Sequence, residues 1–193
     1  LLPFLSAFSQ PVRLFAHPDA FLSKRFDGRS VGVPFDPAAL PAHAELCLSR
    51  GPAELAPGVL FLGEIPRTNL LEAPPVGETL RGGTWEPDRL LDDTALALAT
   101  KSGLFLLTGC SHAGICNMLQ YALSLTGETR VAGVLGGLHL FEPGPQLDFV
   151  LARLAQLGAK TLYPCHCTSL AVKHALCGAF DVHEVGVGLT LAL

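Results

Sequence analysis

The chain is short of everything that would send it to a nucleic acid or through a membrane. Only 16% of its 193 residues are charged, and its 13 lysines and arginines are outnumbered by 17 acidic residues. A net charge of -4 and a pI near 5.9 leave no basic footprint to neutralise phosphates, which excludes a nucleic-acid-binding role. No apolar stretch reaches the roughly 18 residues that span a bilayer. The N-terminus also lacks a charged region leading to a cleavage signal, so the chain is expected to be cytoplasmic. Internal repeats and low-complexity tracts are missing, which removes solenoids and linkers. The only methionine is Met118, residue 1 is leucine, and LLPFLSAF opens without a Ser, Thr, Asp or Asn cap; the natural chain is expected to begin upstream.

Hydrophobic residues, by contrast, make up 49% of the chain, enough for one well-buried domain over residues 1–193. Six cysteines (Cys47, Cys110, Cys116, Cys165, Cys167 and Cys177) suit a disulfide set on count alone. Three of them flank histidines and the protein is no small secreted scaffold, so reduced thiols are expected.

Residues 1–8 read as the end of a helix with Leu1, Leu2, Leu5 and Phe8 on its packed side. A strand is predicted over 12–16 and a short helix over 18–26, with proline in its first turn. Glycine and proline multiply between 27 and 57, a loop-rich excursion with one strand near 45–48. A strand over 59–65 leads into a second irregular insertion, 66–91, read as a wall or lid. From residue 95 the order becomes regular: a hairpin from ALALAT and LFLLT, then helix 114–125, strand 131–135, helix 146–157, strand 160–164, helix 169–179, and a closing strand from the alternation in EVGVGLTLAL. Hairpins first and βα units later predict a layered α/β sandwich.

Three of the predicted strands end in a histidine segment: TGCSHAG after 104–108, LGGLH after 131–135 and PCHCTS after 160–164. Loops at the ends of neighbouring parallel strands converge on one crevice, so His112, His139 and His166 read as one rim. Imidazole, thiolate and carboxylate hold zinc-like ions, with Cys110 and Asp93 as further ligand candidates; such ions lower the pKa of bound water. Cys165 and Cys167 read as small thiols in a tight turn, with only one side of the Cys-His-Cys triplet needing to face the site. Arg67, just past a strand end, is a candidate to pair with a substrate phosphate or carboxylate, or else a surface salt bridge. Asp92 is the other half of an acidic pair that serves equally as a turn. His17, His43, His174 and His183 fall outside the rim. A competing reading makes Gly109 to Gly114 a nucleophile elbow built on Ser111 or Cys110, although its second glycine falls one place late.

The segments LFAHPDAF, GEIPRTNLLE, LLDDTALAL, LLTGCSHAGICNML, GVLGGLHL and LYPCHCTS, in this order, resemble the metallo-β-lactamase-fold hydrolases grouped with the archaeal dihydropterin ribofuranosylaminobenzene phosphate synthases. The resemblance implies an αββα sandwich with a metal site at one edge of its sheets. It implies zinc, two ions in the complete protein, with manganese or iron as alternatives. The family's His-x-His-x-Asp-His run is expected immediately before LLPFL, so this chain is expected to be the later part of the fold, needing an N-terminal segment to complete the site. By position, His112 and His166 match downstream ligands, and Cys110 stands where many relatives have a bridging aspartate. His139 matches a histidine that ligates or contacts substrate.

The expected function is that of a metal-dependent hydrolase or transferase. Metal-bound hydroxide or Lewis-acid attack is expected on a phosphoester or a related small-molecule substrate, or in a pterin-related transfer as the resemblance implies, with His139 and Arg67 as catalytic candidates. A binding or scaffold domain of the same fold that has lost turnover is the alternative, and a Ser111 or Cys110 nucleophile hydrolase the other.

Overall fold

The computed structural model describes residues 1–193. In chain order its elements are α1 (Leu2–Ser6), β1 (Val12–Ala16), β2 (Lys24–Phe26), β3 (Arg29–Ser30), β4 (Ala44–Leu48), β5 (Ala53–Ala56), β6 (Val59–Phe61), β7 (Glu78–Arg81), β8 (Thr84–Pro87), β9 (Ala95–Thr100), β10 (Gly103–Thr108), α2 (Ile115–Thr126), β11 (Val131–Gly136), α3 (Pro145–Gln156), β12 (Thr161–Pro164), α4 (Leu170–Cys177) and β13 (Asp181–Val182). Seven strands form one mixed sheet in the order β13-β12-β11-β10-β9-β6-β5. On one side β9 and β10 make the predicted antiparallel hairpin; on the other β11, β12 and β13 add parallel to β10, with α2, α3 and α4 as the connections.

The period-2 alternation of the strands decides what each face meets. Leu104 and Leu106 of β10, Val131 and Val134 of β11 and Leu162 of β12 are buried in one cluster of 24 residues with Ile115, Met118, Leu119 and Ala122 of α2, Leu147, Val150 and Leu154 of α3, and Val172 and Leu176 of α4. These helical positions recur at three- and four-residue spacing, as a core-facing stripe requires. Pro145 opens α3, the Ser169 hydroxyl accepts from Val172 N–H at 3.2 Å to cap α4, and Gly127 closes α2 in the left-handed conformation. The intervening Phe105 faces away from this cluster and packs against Tyr163 at 6.0 Å. A two-stranded parallel pair, β1 with β4, leans on the large sheet through Phe15 and Phe61, 6.3 Å apart. A four-stranded antiparallel sheet, β3-β2-β7-β8, completes the mixed α/β architecture.

Several expectations change. Residues 18–26 do not form one helix: a 3-10 turn over Pro18–Phe21 gives way to β2, because Leu22 is already extended and Lys24 pairs with the distant Thr79. The insertion 66–91 contains the β7–β8 hairpin, joined at Gly82 and Gly83, both at positive φ. β6 stops at Phe61. Gly63 then passes so close to the main chain of Arg50 and Gly51 that a Cβ would lie 2.5 Å from either carbonyl, and the chain turns away from the ladder. Residues 185–193 form no strand despite their alternation, since Gly188 adopts φ +91° and Val187 and Leu189 are left in solvent. In α1 only Leu5 is buried, whereas Leu1, Phe4 and Phe8 are exposed.

Candidate metal centre

Parallel pairing of β10 with β11 and of β11 with β12 puts the C-terminal ends of the three strands side by side. The loops that follow are tied to one another by main-chain and hydroxyl bonds. Gly137 N–H donates to Gly109 O at 2.7 Å, Cys165 N–H to Gly136 O at 3.0 Å and Leu140 N–H to Cys167 O at 3.1 Å. The Ser111 hydroxyl donates to Gly137 O at 2.6 Å, and the Thr168 hydroxyl accepts from Leu138 N–H at 3.0 Å. Ser111, His139 and His166, one residue in each loop, are held at φ of +61°, +50° and +52°. Non-glycine residues enter this region at a cost of ~1–3 kcal/mol and persist there only where the surroundings over-determine them.

Within this rim the imidazoles of His112 and His139 lie against each other with centroids 4.1 Å apart and planes at 45°. Burial, and then the neighbouring His139, push His112 down to about 4, and burial lowers His139 as well. Both rings are therefore neutral near pH 7, the form that donates an electron pair to a metal. Their Nδ1 atoms are buried and have no hydrogen-bond partner. Beside them the ligand atoms of Cys110, His166 and Cys167 all lie within 4.8 Å of one another. Imidazole nitrogen and cysteine sulfur are the donors that borderline and soft divalent metals take, so the residues present fit such an ion.

The half-buried Asp93 accepts from Ala113 N–H at 2.7 Å through Oδ2, which fixes the turn carrying His112. Burial pushes its carboxyl up to about 6, against the Ala113 bond and the Arg67 charge. It stands beside the Cys110–His166–Cys167 group and is not one of its three members. Arg67 is engaged elsewhere: it donates to Ile65 O at 3.1 Å and to Arg89 O and Leu90 O at 2.7 Å each. Those carbonyls occupy both terminal nitrogens of the fork, in place of either a substrate anion or a surface salt bridge, and the arginine acts as a strut between the strand-end loop and Leu90, itself at φ +50°.

The elbow reading is corrected. Ser111 is 1% exposed and its hydroxyl is donated to Gly137 O, so it is neither accessible nor facing a base. Burial and the adjacent Cys167 push the Cys110 thiol up to about 11, the opposite of an activated nucleophile.

Two features had no clear signal in the sequence. Cys167, read as a small thiol of a tight turn, joins Cys110 and His166, whereas Cys165 stays outside the group. Lys24 is buried at 7% exposure between Asp88, at 3.0 Å, and Asp92. Lys24, Asp88 and His112 share a cleft of about 290 Å3 with the apolar Phe26, Val31, Val76 and Leu90. Nothing in the run KRF marks its lysine as buried, because both carboxylate partners come from more than sixty residues away. His17, placed outside the rim, is also buried; its Nδ1 accepts Asp19 N–H and its Nε2 lies 3.2 Å from Glu64.

No family model matches the chain. Among characterised relatives it is 33% identical over 132 residues to a 7,8-dihydropterin-6-methyl-4-(beta-D-ribofuranosyl)-aminobenzene-5'-phosphate synthase of Methanocaldococcus jannaschii, covering 66% of this chain and 45% of that protein. It is 30% identical over 160 residues to an uncharacterized protein of the same organism, covering 81% of this chain and 58% of that one. The chain thus spans about half the length of the curated relatives it matches. The crystal structure of a metal-dependent hydrolase of the β-lactamase superfamily superposes with a TM-score of 0.82 at 27% identity, over 95% of this chain and 72% of that one. A shared fold over nearly the whole chain, together with 33% identity to a synthase over 132 residues, places this protein in the metallo-β-lactamase superfamily.

Proposed function

We propose that this chain carries part of the active site of a metal-dependent hydrolase or transferase, with zinc as the metal and a phosphoester or related small molecule as substrate. The observation that carries this reading is the convergence of His112, His139, His166 and Cys110 on one rim, with two buried imidazole nitrogens that no protein group satisfies. Bound there, zinc would lower the pKa of water towards neutrality and polarise a phosphoryl oxygen.

The chain's own residues divide the remaining work. His112, His166 and Cys110 would hold the ion, and Asp93 orients the His112 turn through Ala113 N–H. His139, packed between His112 and Phe141, supplies a neutral imidazole to the substrate side. The similarity to a pterin-phosphate synthase favours a phosphorylated, pterin-like substrate.

Elemental analysis of protein purified under reducing conditions tests the reading, followed by turnover of phosphodiester, lactone and thioester probes in the full-length natural context. Zinc at one or two equivalents with phosphodiester cleavage is expected. Protein that binds no transition metal overturns it, and metal binding without turnover on any probe replaces it with a binding role.

A further inference from the structure

The Cys110–His166–Cys167 group holds one more donor than the histidine rim required. We propose that Cys167 is itself a metal ligand, so that Cys110, His166 and Cys167 form a thiolate-rich seat selective for a thiophilic divalent ion. The inference rests on the metal-dependent reading above and extends it to the identity of the ligands and the class of ion.

Geometry separates the two cysteines that flank His166. The left-handed turn at His166, φ +52°, sends the neighbouring side chains apart. Cys165 stays outside the group. Cys167 turns inward, and its Sγ donates to Cys110 O at 3.4 Å. The main chain around it is fixed, with Cys167 O accepting from Leu140 N–H and the Thr168 hydroxyl accepting from Leu138 N–H. On the far side Gly137 leaves the room: a Cβ there would lie 2.5 Å from Cys167 Sγ and 2.8 Å from Gly109 O. A side chain at this position would displace the sulfur from the rim. Glycine at 137 and the strained His166 thus act on one atom, Cys167 Sγ.

The spacing is close to what an ion needs. A tetrahedral zinc with sulfur at about 2.3 Å holds its two thiolates about 3.8 Å apart, and the three ligand atoms already lie within 4.8 Å. Modest rotations about the cysteine χ1 bonds close the difference. Each thiol loses a proton on binding, so the seat presents two thiolates and one neutral imidazole to a dication. That donor set favours zinc, cobalt or cadmium over magnesium or manganese.

The experiment counts sulfur ligands and does not depend on turnover. The full-length protein is loaded with zinc under reductant and studied by X-ray absorption, then loaded with cobalt(II) and followed by its sulfur-to-metal charge-transfer absorption. Two sulfur scatterers per chain are expected. Cys167→Ser and Cys110→Ser should each leave one, lower the charge-transfer intensity by about half and weaken binding by about tenfold or more. Cys177→Ser, on the exposed end of α4, and Cys165→Ser should match wild type. Circular dichroism confirms that each variant is folded, and the wild-type sulfur count stands without any variant. A single sulfur, or a Cys167→Ser spectrum equal to wild type, overturns the proposal and leaves the metal-dependent reading intact; failure to bind any ion overturns both.

Discussion

His112 and His139 lie ring against ring, 4.1 Å between centroids, with neither Nδ1 partnered. Charging either ring in the metal-free chain is costly, and His112 accordingly titrates at about 4 instead of its usual 6.5. Its folded pKa is depressed, so its contribution to stability is complete above pH 6.5 and is lost as pH falls through 4. Asp93 has the opposite sign. Its folded pKa of about 6 exceeds the unfolded value near 3.8, so its contribution is present below pH 3.8 and is lost as pH rises through 6. The two oppose each other between pH 4 and 6. Urea midpoints of the metal-free chain should therefore fall more steeply on acidification in Asp93→Asn than in wild type, and less steeply in His112→Asn. Identical pH profiles for all three would refute both assignments.

Ser111→Ala removes the hydroxyl that donates to Gly137 O and leaves that carbonyl without its side-chain donor. A loss of about 1–3 kcal/mol in unfolding free energy is expected. Metal content should survive, and a serine-directed electrophile should label neither protein; covalent labelling of wild type at Ser111 would restore the elbow reading.

Gly137→Ala places a methyl group against Cys167 Sγ and Gly109 O. The loops must separate, at a cost of about 1–3 kcal/mol. Zinc affinity should fall by about tenfold or more, as when a supporting group behind a ligand is lost. Isothermal titration under reductant measures the second effect, and unchanged affinity would contradict the close approach.

Lys24→Met leaves Asp88 and Asp92 as carboxylates facing each other without their shared cation. Removing one partner of a buried ion group costs about 3–5 kcal/mol, and thermal unfolding of the variant should register a loss of that order. A surface-like change below about 1 kcal/mol would mean that the lysine is solvated.

Arg67→Lys tests a strut against an anion clamp. Lysine cannot span Ile65 O, Arg89 O and Leu90 O together, so stability should fall by about 1–3 kcal/mol. A raised KM with unchanged stability would instead place Arg67 on the substrate.

Where pattern and partner lie close together, the sequence was enough. The hairpin of β9 and β10, the three βα units and the strand-end histidines were legible because apolar periodicity sets each element and short connections set neighbouring order. Parallel pairing then had to bring the loops after β10, β11 and β12 to one edge. The alternation in 185–193 misled for the same reason: period 2 describes a face, and no partner strand supplies one there. The β7–β8 hairpin escaped notice because its strands are short and lie among prolines and glycines that read as loop.

By itself, then, the sequence determined the layered α/β class, the helices and the rim on which His112, His139 and His166 stand, since these follow from local periodicity and chain order. Only the tertiary structure decided which donors meet. Cys167 turns inward and Cys165 does not because of one left-handed residue and the room left at Gly137. Ser111 is sealed by a carbonyl from another loop, Arg67 is spent on distant carbonyls, and Lys24 is buried by two aspartates more than sixty residues away. Side-chain direction in these loops depends on backbone angles and contacts fixed by distant segments, which no local pattern records.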